Sequence, residues 1–202
     1  MTLERIDVAR VRQALAGREA AIAEPGDQRA AAVAAVLRAR PAGAEVLLIR
    51  RASREGDPWS GHMAFPGGRE DEADPDLFHT ALRETHEEVG LDLDRHGSYI
   101  GRLDDIPAIA RGHRVGMNIA PFVFELVEER PLITNEEVEE VIWAPLTTLA
   151  RGETATTVDY VLEGQHLALP AWDVQGRIVW GLTYRMLESL FSVVERDAAG
   201  RG

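Results

Sequence analysis

Apolar residues recur along the first fifty positions with two different periods. Near the amino terminus they have helical spacing, at Ile6, Val8, Val11 and Leu15. Residues 4–16 are therefore expected to form a short amphipathic helix, followed by a polar link over residues 17–28. Two Val/Leu-rich runs come next, Val33–Leu37 and Glu45–Ile49, with Pro and Gly between them. This arrangement predicts a β-hairpin.

A Gly/Pro/Ser-rich stretch from Ala52 to Gly68 predicts a long loop, and a well-bounded helix comes after it. Asp74 suits an N-cap, and Pro75 suits the first helical position. Gly90 suits the end of the helix. About four helical turns fit between these boundaries.

The remaining pattern mixes strands and helices. Strands are expected over residues 98–103, 116–126 and 139–143, a short helix over 146–151 and a hairpin over 156–169. A last helix near Leu182–Glu195 has an apolar stripe made of Leu187, Leu190, Phe191 and Val194. This order predicts an α+β fold of the α/β/α sandwich type. We expect one domain over 1–202, with a helix and link over 1–28 and a core over 30–196.

The charge balance narrows the class of partner. The 202 residues include 34 Asp or Glu and 22 basic residues, all of them Arg, for a net charge of −12. Such an acidic chain is not expected to bind nucleic acid, although divalent cations would let it bind phosphorylated small molecules. It has no Cys and no long apolar segment, so we expect no zinc-thiolate site, no disulfide and no membrane span. A cytoplasmic location is the simplest expectation.

The segment Arg83-Glu84-Thr85-His86-Glu87-Glu88-Val89-Gly90 carries the strongest chemical signal. On a helix the three Glu side chains fall on one face, and a different face is formed by Phe78, Leu82, Thr85 and Val89. Crowded carboxylates repel one another in a solvated helix, but they suit a hard divalent cation, which favours oxygen ligands. The pattern therefore indicates a metal site on this helix.

Residues Gly68–Leu91 resemble the signature of Nudix hydrolases, G-x5-E-x7-R-E-U-x-E-E-x-G-U, in which U is a bulky apolar residue. The matching positions are Arg83, Glu84, Glu87, Glu88, Gly90 and Leu91. Thr85 stands where an apolar residue is usual, and the distance from Gly68 to Arg83 is one residue longer. The first Glu of the signature is therefore unassigned, with Glu72 and Asp74 as the nearest candidates.

The resemblance implies a Nudix α/β/α sandwich with a mixed β-sheet. It also implies hydrolysis of a nucleoside diphosphate linked to another moiety, with Mg²⁺ or Mn²⁺ as the cofactor. The implied metal ligands are the carbonyl of Gly67 and the side chains of Glu84, Glu87 and Glu88. Arg83 would orient a carboxylate. In this family a Glu from a loop outside the signature can act as general base or as an extra metal ligand, and the candidates here are Glu136 and Glu137.

A second resemblance concerns the substrate. Leu47–Ala52 and Gly61–Gly68 are similar to the extra motif of coenzyme A pyrophosphatase-type Nudix enzymes, as is Trp180-Gly181-Leu182-Thr183. Ile49 replaces the Thr of that motif, and Gly56 or Asp57 stands where its second Arg is expected. The implied reaction cleaves coenzyme A or an acyl-coenzyme A to 4′-phosphopantetheine and adenosine 3′,5′-bisphosphate. Candidate phosphate-binding residues are Arg50, Arg51, Arg54, Arg111, His113 and Arg114.

Other interpretations remain open from the sequence. The substrate could instead be ADP-ribose, a dinucleoside polyphosphate or an oxidised nucleotide, and a non-catalytic ligand sensor is the rival outside the enzymes. A homodimer is also possible. Trp143 and Trp180 are expected to be core residues, whereas Trp172 is left open as a residue that could stack on a base. We expect His62 and His86 to be hydrogen-bonded bystanders.

Overall fold

The computed structural model describes residues 5–23, 29–110, 112–162 and 164–200. The helices are α1 (Val8–Leu15), α2 (Leu77–Val89), α3 (Leu93–His96), α4 (Leu146–Ala150) and α5 (Gly181–Ala199). The strands are β1 (Arg29–Arg40), β2 (Gly43–Arg51), β3 (Met63–Ala64), β4 (Gly67–Arg69), β5 (Gly97–Arg102), β6 (Ile106–Ala110), β7 (His113–Leu126), β8 (Val138–Pro145), β9 (Ala155–Leu162), β10 (Gln165–Val174) and β11 (Arg177–Trp180). None of the described helices is long and apolar enough to cross a membrane.

The main sheet has the strand order β3-β2-β1-β7-β5, and β4, β6 and β8 pair with β1, β7 and β2 respectively. Strands β1 and β7 are parallel, while β1 and β2 form the predicted antiparallel hairpin. The sheet is therefore mixed, as expected. A smaller antiparallel sheet has the order β11-β10-β9.

Side chains of β1 alternate between the two faces of the main sheet, as the period of a strand requires. Ala34 and Val36 belong to the core that includes Leu82 and Val89 of α2. Leu37 belongs to the opposite core, in which Val11 and Leu15 of α1 are joined by Leu187 and Leu190 of α5. The main sheet thus lies between helices on both faces, which confirms the predicted α+β sandwich.

Two predicted helix starts are wrong, and each helix begins directly after a capping Asp. Helix α1 begins at Val8 and not at residue 4, because Asp7 accepts a hydrogen bond from the Arg10 N–H. Helix α2 begins at Leu77, because Asp76 is its N-cap and accepts from the His79 N–H. Asp74, the predicted cap, has a different partner. The predicted end at Gly90 is confirmed, with φ at 67°.

Several short elements were not predicted. Strand β4 lies in the glycine-rich segment that was interpreted as a loop, and β6 contains Pro107, a residue that usually marks an irregular segment. The short elements α3 and β11 were missed as well. Part of the predicted link, residues 24–28, lies outside the described residues. Of these elements, β4 has the largest structural consequence, because it carries Gly67 and Gly68 to the carboxyl-bearing face of α2.

Candidate functional site

Arg83 of α2 forms a bidentate ion pair with Asp74. Its Nε lies 2.9 Å from Oδ1 of Asp74, and its Nη2 lies 2.8 Å from Oδ2. Asp74 is nearly inaccessible to solvent and also accepts from the Thr80 hydroxyl at 2.8 Å. The hydrogen bonds from Arg83 hold the pKa of Asp74 well below its usual range. Asp74, rather than Glu72, is therefore the acidic partner of Arg83.

The same guanidinium organises the rest of the helix face. Nη1 donates to Oε1 of Glu84 at 2.9 Å and to Oε2 of Glu87 at 3.1 Å, and Nη2 donates to the Arg69 carbonyl at 3.1 Å. With the two bonds to Asp74, five hydrogen bonds use the five N–H donors of an arginine. One side chain thus joins α2 to the segment that precedes it and to β4.

The three Glu side chains of this helix face have different environments. Glu88 is only 2% exposed, whereas the side chain of Glu84 is 15% exposed and that of Glu87 is 52% exposed. Oε2 of Glu88 accepts a hydrogen bond from the Gly67 N–H at 2.8 Å. Burial raises the pKa of Glu88 to about 8 and also raises the pKa of Glu84. Glu88 is therefore buried, although the half-exposed Glu87 precedes it on the same helix.

Two glycines let the chain approach these carboxylates closely. A Cβ on Gly68 would lie 2.5 Å from the carboxylate carbon of Glu84, so this carboxylate would have to move to accommodate a side chain. Gly67 has φ at 152°, and its Cβ would lie 2.3 Å from the Ala32 carbonyl oxygen. Gly67 is thus required by the close approach of β4 to β1, and Gly68 leaves space that the Glu84 carboxylate occupies.

A cleft of about 560 Å³ opens beside these carboxylates. Its wall and floor include β1, β3, β7, the start of α5 and the loop over residues 52–62, and one end is formed by Gly67, Gly68, Glu84 and Glu137. A volume of this size suits a small-molecule ligand. The acidic end and the cleft therefore form one continuous candidate site.

The loop before β8 brings Glu137 to the acidic end of the cleft. The Ile133 N–H donates to the Val89 carbonyl at 2.9 Å, so the loop is anchored at the end of α2. The Glu137 N–H donates to Oδ1 of Asn135 at 2.9 Å. Of the two predicted general-base candidates, Glu137 lines the cleft, whereas Glu136 is exposed and does not line it.

Two of the predicted phosphate-binding arginines line the cleft, and each has an acidic partner. Nη2 of Arg51 lies 2.9 Å from Oδ2 of Asp57, and Nη2 of Arg54 lies 3.0 Å from Oε1 of Glu137. Nε of Arg51 is buried without a hydrogen-bond partner among the described residues.

The remaining candidates for phosphate binding differ from these two. Arg50 pairs with Glu139 at 3.2 Å and does not line the cleft. His113 is exposed and does not line it either. Arg111 lies outside the described residues, as does the side chain of Arg114. The roles of these two arginines in phosphate binding stay predictions.

The positions of the tryptophans agree only in part with those expected from the sequence. Trp172 is 3% exposed and stacks on Tyr184 in the core, so it does not face a ligand. Trp143 lies under the guanidinium of Arg38. Trp180, expected in the core, lines the cleft together with Trp59. Trp59 was missed, and its signal would have been a lone Trp within a Gly/Pro-rich loop.

The two histidines also differ. His62 lines the cleft with its ring centroid 4.7 Å from that of Trp180, and burial lowers its pKa. His86 is exposed on α2.

The donor chemistry of the site suits a hard cation. The carboxylates of Glu84 and Glu137 lie close enough to Glu88 for their negative charges to raise its pKa. Oxygen ligands of this kind are preferred by Mg²⁺ and Mn²⁺. In this conformation, however, no group of three or more His, Asp or Glu side chains from the described residues is arranged to hold a metal ion. Arg83, Arg54 and the Gly67 N–H are the partners of these carboxylates instead.

The amino-acid sequence is similar to that of a known protein family and of several known proteins. A family model described as the NUDIX domain matches residues 28–163. A protein of Schizosaccharomyces pombe, whose name states no function, is 40% identical over 116 residues, which are 56% of this chain and 35% of that protein. The chain thus spans about a third of that relative's length. The mitochondrial coenzyme A diphosphatase of Mus musculus is 34% identical over 173 residues, with 77% of this chain and 80% of that protein covered.

Among solved structures, the crystal structure of a C. elegans Ap4A hydrolase binary complex is similar in fold. The TM-score is 0.56 at 15% identity, and the match covers 85% of this chain and 98% of that chain. At this identity the likeness concerns the fold alone. The mixed sheet between helices is therefore shared with that structure.

The ion pair of Arg83 and Asp74 generates a prediction about stability. Asp74→Asn should lower the free energy of unfolding by about 2 kcal/mol at pH 7, the usual size for a lost charge-assisted hydrogen-bonding partner. Because the pKa of Asp74 is lowered in the folded state, the pair stabilises the protein above about pH 4 and this contribution is lost as the pH falls further. Denaturant unfolding at pH 7 and pH 3.5 measures the difference. Glu72→Gln is the matched control, and an equal loss in that exposed variant would contradict the pairing.

The buried Glu88 generates a prediction of opposite sign. Its pKa near 8 in the folded protein exceeds the ordinary value of about 4.3, so the wild-type protein loses stability as the pH rises between these values. Glu88→Gln removes this loss and keeps an acceptor for the Gly67 N–H. In the presence of chelator the variant should gain on the order of 3 kcal/mol over wild type between pH 5 and pH 8.

Denaturant unfolding at the two pH values measures this gain. Glu87→Gln, at the half-exposed position on the same helix face, is the control and should show no such gain. A stability difference between Glu88→Gln and wild type that stays constant with pH would show that Glu88 is not the titrating group.

Proposed function

The chain belongs to the Nudix family of pyrophosphohydrolases, and we propose that its substrate is coenzyme A or an acyl-coenzyme A. The products would be 4′-phosphopantetheine and adenosine 3′,5′-bisphosphate. The observation that carries this proposal is the cluster that Arg83 forms with Asp74, Glu84 and Glu87, because its Glu84 lines one end of a cleft of about 560 Å³. The named activity of the Mus musculus relative supports coenzyme A as the substrate.

We assign the cofactor as Mg²⁺ or Mn²⁺, in agreement with the general use of divalent metals by Nudix hydrolases. Its ligands would be the side chains of Glu84, Glu87 and Glu88 and the carbonyl of Gly67. When bound, such an ion polarises a pyrophosphate oxygen and lowers the pKa of a coordinated water. The protein provides oxygen donors of suitable hardness, and Gly68 leaves space for the carboxylate of Glu84.

The chain's own residues have distinct roles in this proposal. Arg83 holds α2 against β4 and neutralises part of the acidic face through its five hydrogen bonds. Glu137 would accept the proton of the attacking water at its carboxylate, which requires that it exchange its contact with Arg54. Arg54, released from Glu137, would then be free to contact a substrate phosphate.

Arginine is suited to binding the 3′-phosphate of coenzyme A, because a guanidinium can donate two parallel hydrogen bonds to a phosphate. We assign this role to the group of Arg51, Arg54, Arg111 and Arg114. Arg50 is a weaker candidate, because it pairs with Glu139 outside the cleft.

The substrate proposal predicts a specific product pattern. With Mg²⁺ or Mn²⁺ the protein should cleave coenzyme A to 4′-phosphopantetheine and adenosine 3′,5′-bisphosphate, identified by mass spectrometry, and excess chelator should abolish the reaction. The kcat/KM for dephospho-coenzyme A should be lower than that for coenzyme A by about tenfold or more. Without the 3′-phosphate the substrate loses charge-assisted hydrogen bonds of about 1.5–3 kcal/mol. Brisk cleavage of ADP-ribose or a dinucleoside polyphosphate without cleavage of coenzyme A would reject the proposed substrate.

The proposed base can be tested by a pair of neighbouring residues. Glu137→Gln should lower kcat on the order of 10² to 10⁴-fold, since general-base catalysis contributes about this much. Glu136→Gln is the matched control, because Glu136 is exposed and does not line the cleft. Circular dichroism and unfolding curves establish that both variants are folded. Equal activity of the two variants would reject Glu137 as the base.

A further inference from the structure

The loop that precedes β8 covers the carboxyl end of α2. The last carbonyl groups of a helix have no partner within the helix and need donors from elsewhere. Here the Ile133 N–H donates to the Val89 carbonyl at 2.9 Å, and the Asn135 N–H donates to the Glu88 carbonyl at 3.2 Å. The loop is thus hydrogen-bonded to the two residues of α2 that come before Gly90.

These bonds hold the loop in place against an unfavourable distribution of charge. Residues 127–137 include four Glu and one Arg, and the carboxylate of Glu137 lies near that of Glu88. Like charges repel one another, and the carboxyl end of a helix is itself negative because its peptide dipoles are aligned. The loop therefore depends on its backbone hydrogen bonds and on Leu132, which packs against the core on the α2 side of the sheet.

The side chain of Asn135 extends this attachment to Glu137. Its Oδ1 accepts a hydrogen bond from the Glu137 N–H at 2.9 Å. This is an Asx-turn, in which an Asn or Asp side chain bonds to the backbone two residues further along the chain. The Asn135 carbonyl also accepts from the Val138 N–H at 3.3 Å. One residue thus bonds to Glu88 through its backbone and to Glu137 through its side chain.

The backbone of Glu137 is fixed on its other side as well. Its carbonyl accepts a hydrogen bond from the Ala52 N–H at 2.8 Å. Its side chain, in contrast, is 41% exposed and pairs with Arg54 at 3.0 Å. The carboxylate can therefore exchange Arg54 for another partner by rotation of the side chain, while the backbone stays in place.

Asparagine is well suited to this position, because its amide is an acceptor without a charge. Alanine would leave the Glu137 N–H without its partner, and the bond is partly buried, so water would replace it only in part. Aspartate would supply the same acceptor but would add a negative charge to an acidic loop. Position 135 thus favours a neutral acceptor of this length.

We propose that Asn135 is a positioning residue, which sets the distance between the carboxylate of Glu137 and the carboxylates of α2. This inference deepens the proposed function and rests on the role of Glu137 as the base. A base must lie within hydrogen-bonding distance of the water from which it accepts a proton. An error of about 1 Å in such a position can lower a rate on the order of 10²-fold.

The kinetics of Asn135→Ala test the proposal. Its kcat should fall by about 10- to 100-fold and its KM should stay within about twofold of wild type, because the base is displaced and the substrate contacts are not. Asn135→Asp keeps the acceptor and should have a kcat within about fivefold of wild type. Thr134→Ala is the matched control at an exposed neighbour in the loop and should keep the wild-type kcat.

A double variant distinguishes positioning from a general effect on the loop. In the background of Glu137→Gln, Asn135→Ala should lower kcat by less than about twofold, because residues that act through one step are not additive. An additive loss would overturn the proposal. A wild-type kcat in Asn135→Ala, or an equal loss in Asn135→Asp and Asn135→Ala, would overturn it too.

Amide hydrogen exchange, followed by NMR, provides a measurement without turnover. In Asn135→Ala the Glu137 N–H should exchange faster than in wild type, whereas the Ile133 N–H should stay protected. Equal protection of the Glu137 N–H in the two proteins would contradict the proposed role. Circular dichroism and unfolding curves establish that each variant is folded.

The design separates this inference from the proposed function. Rates are measured with whichever of coenzyme A, ADP-ribose and a dinucleoside polyphosphate the wild-type protein cleaves fastest. A failure to cleave coenzyme A therefore rejects the substrate assignment alone. A slow Glu137→Gln together with a wild-type rate in Asn135→Ala rejects the positioning role and leaves the base assignment intact. Full activity of Glu137→Gln would reject the base and, with it, the role of Asn135.

Discussion

The ion pair between Arg83 and Asp74 is the interaction on which the site depends. It joins the body of α2 to the segment before the helix, and the same guanidinium reaches Glu84, Glu87 and the Arg69 carbonyl of β4. A lysine could not replace it, because an ammonium has three donors in place of five and no planar fork. The crowding of carboxylates on one helix face would otherwise be unfavourable. Arg83 offsets this repulsion while leaving the carboxylates near the cleft.

Glu88 lowers the stability of the folded protein, whereas Arg83 raises it. Its carboxylate is buried behind Gly67 and receives one backbone hydrogen bond, which does not compensate for the loss of water around a charge. The raised pKa is the measure of this cost. A neutral amide at the same position would be more stable, so the proposed function, in which Glu88 binds a cation, accounts for a carboxylate that lowers stability. The asymmetry between Glu87 and Glu88 results from one helical step, which turns the first toward solvent and the second toward β4.

The sequence predicted the sandwich and the carboxylate helix because both depend on local periodicity and on end signals such as Gly90. It did not predict which Asp would cap α2, because Asp74 and Asp76 are both suitable caps and the choice depends on Arg83, nine positions beyond Asp74 in the chain. The burial of Glu88 could not be predicted either, because it results from β4, and a glycine-rich segment does not predict a strand. Trp180 was assigned to the core for a similar reason. Its exposure depends on how the turn at Gly181 and the loop around Trp59 meet across the cleft, and this is a matter of tertiary structure.

The two ends of the cleft are built mainly on different parts of the chain, and the loop over residues 52–62 links them. The acidic end is built on α2, β4 and the loop of Glu137, all of them tied to Arg83 or to the end of the helix. The apolar end is built on the loop of Trp59 and the turn at Gly181, which contact each other through neither Arg83 nor Glu88. Residues of the loop over positions 52–62, such as the Asp57 that stands near the expected position of an arginine, therefore influence the charge along the cleft. Asp57 pairs with Arg51 at 2.9 Å, so the net charge at this position of the cleft depends on the loop and not on α2. The same loop also reaches the acidic end, because its Arg54 pairs with Glu137 at 3.0 Å and the Ala52 N–H donates to the Glu137 carbonyl at 2.8 Å. A change in this loop therefore acts on both ends of the cleft, since residues that share an interaction are energetically coupled.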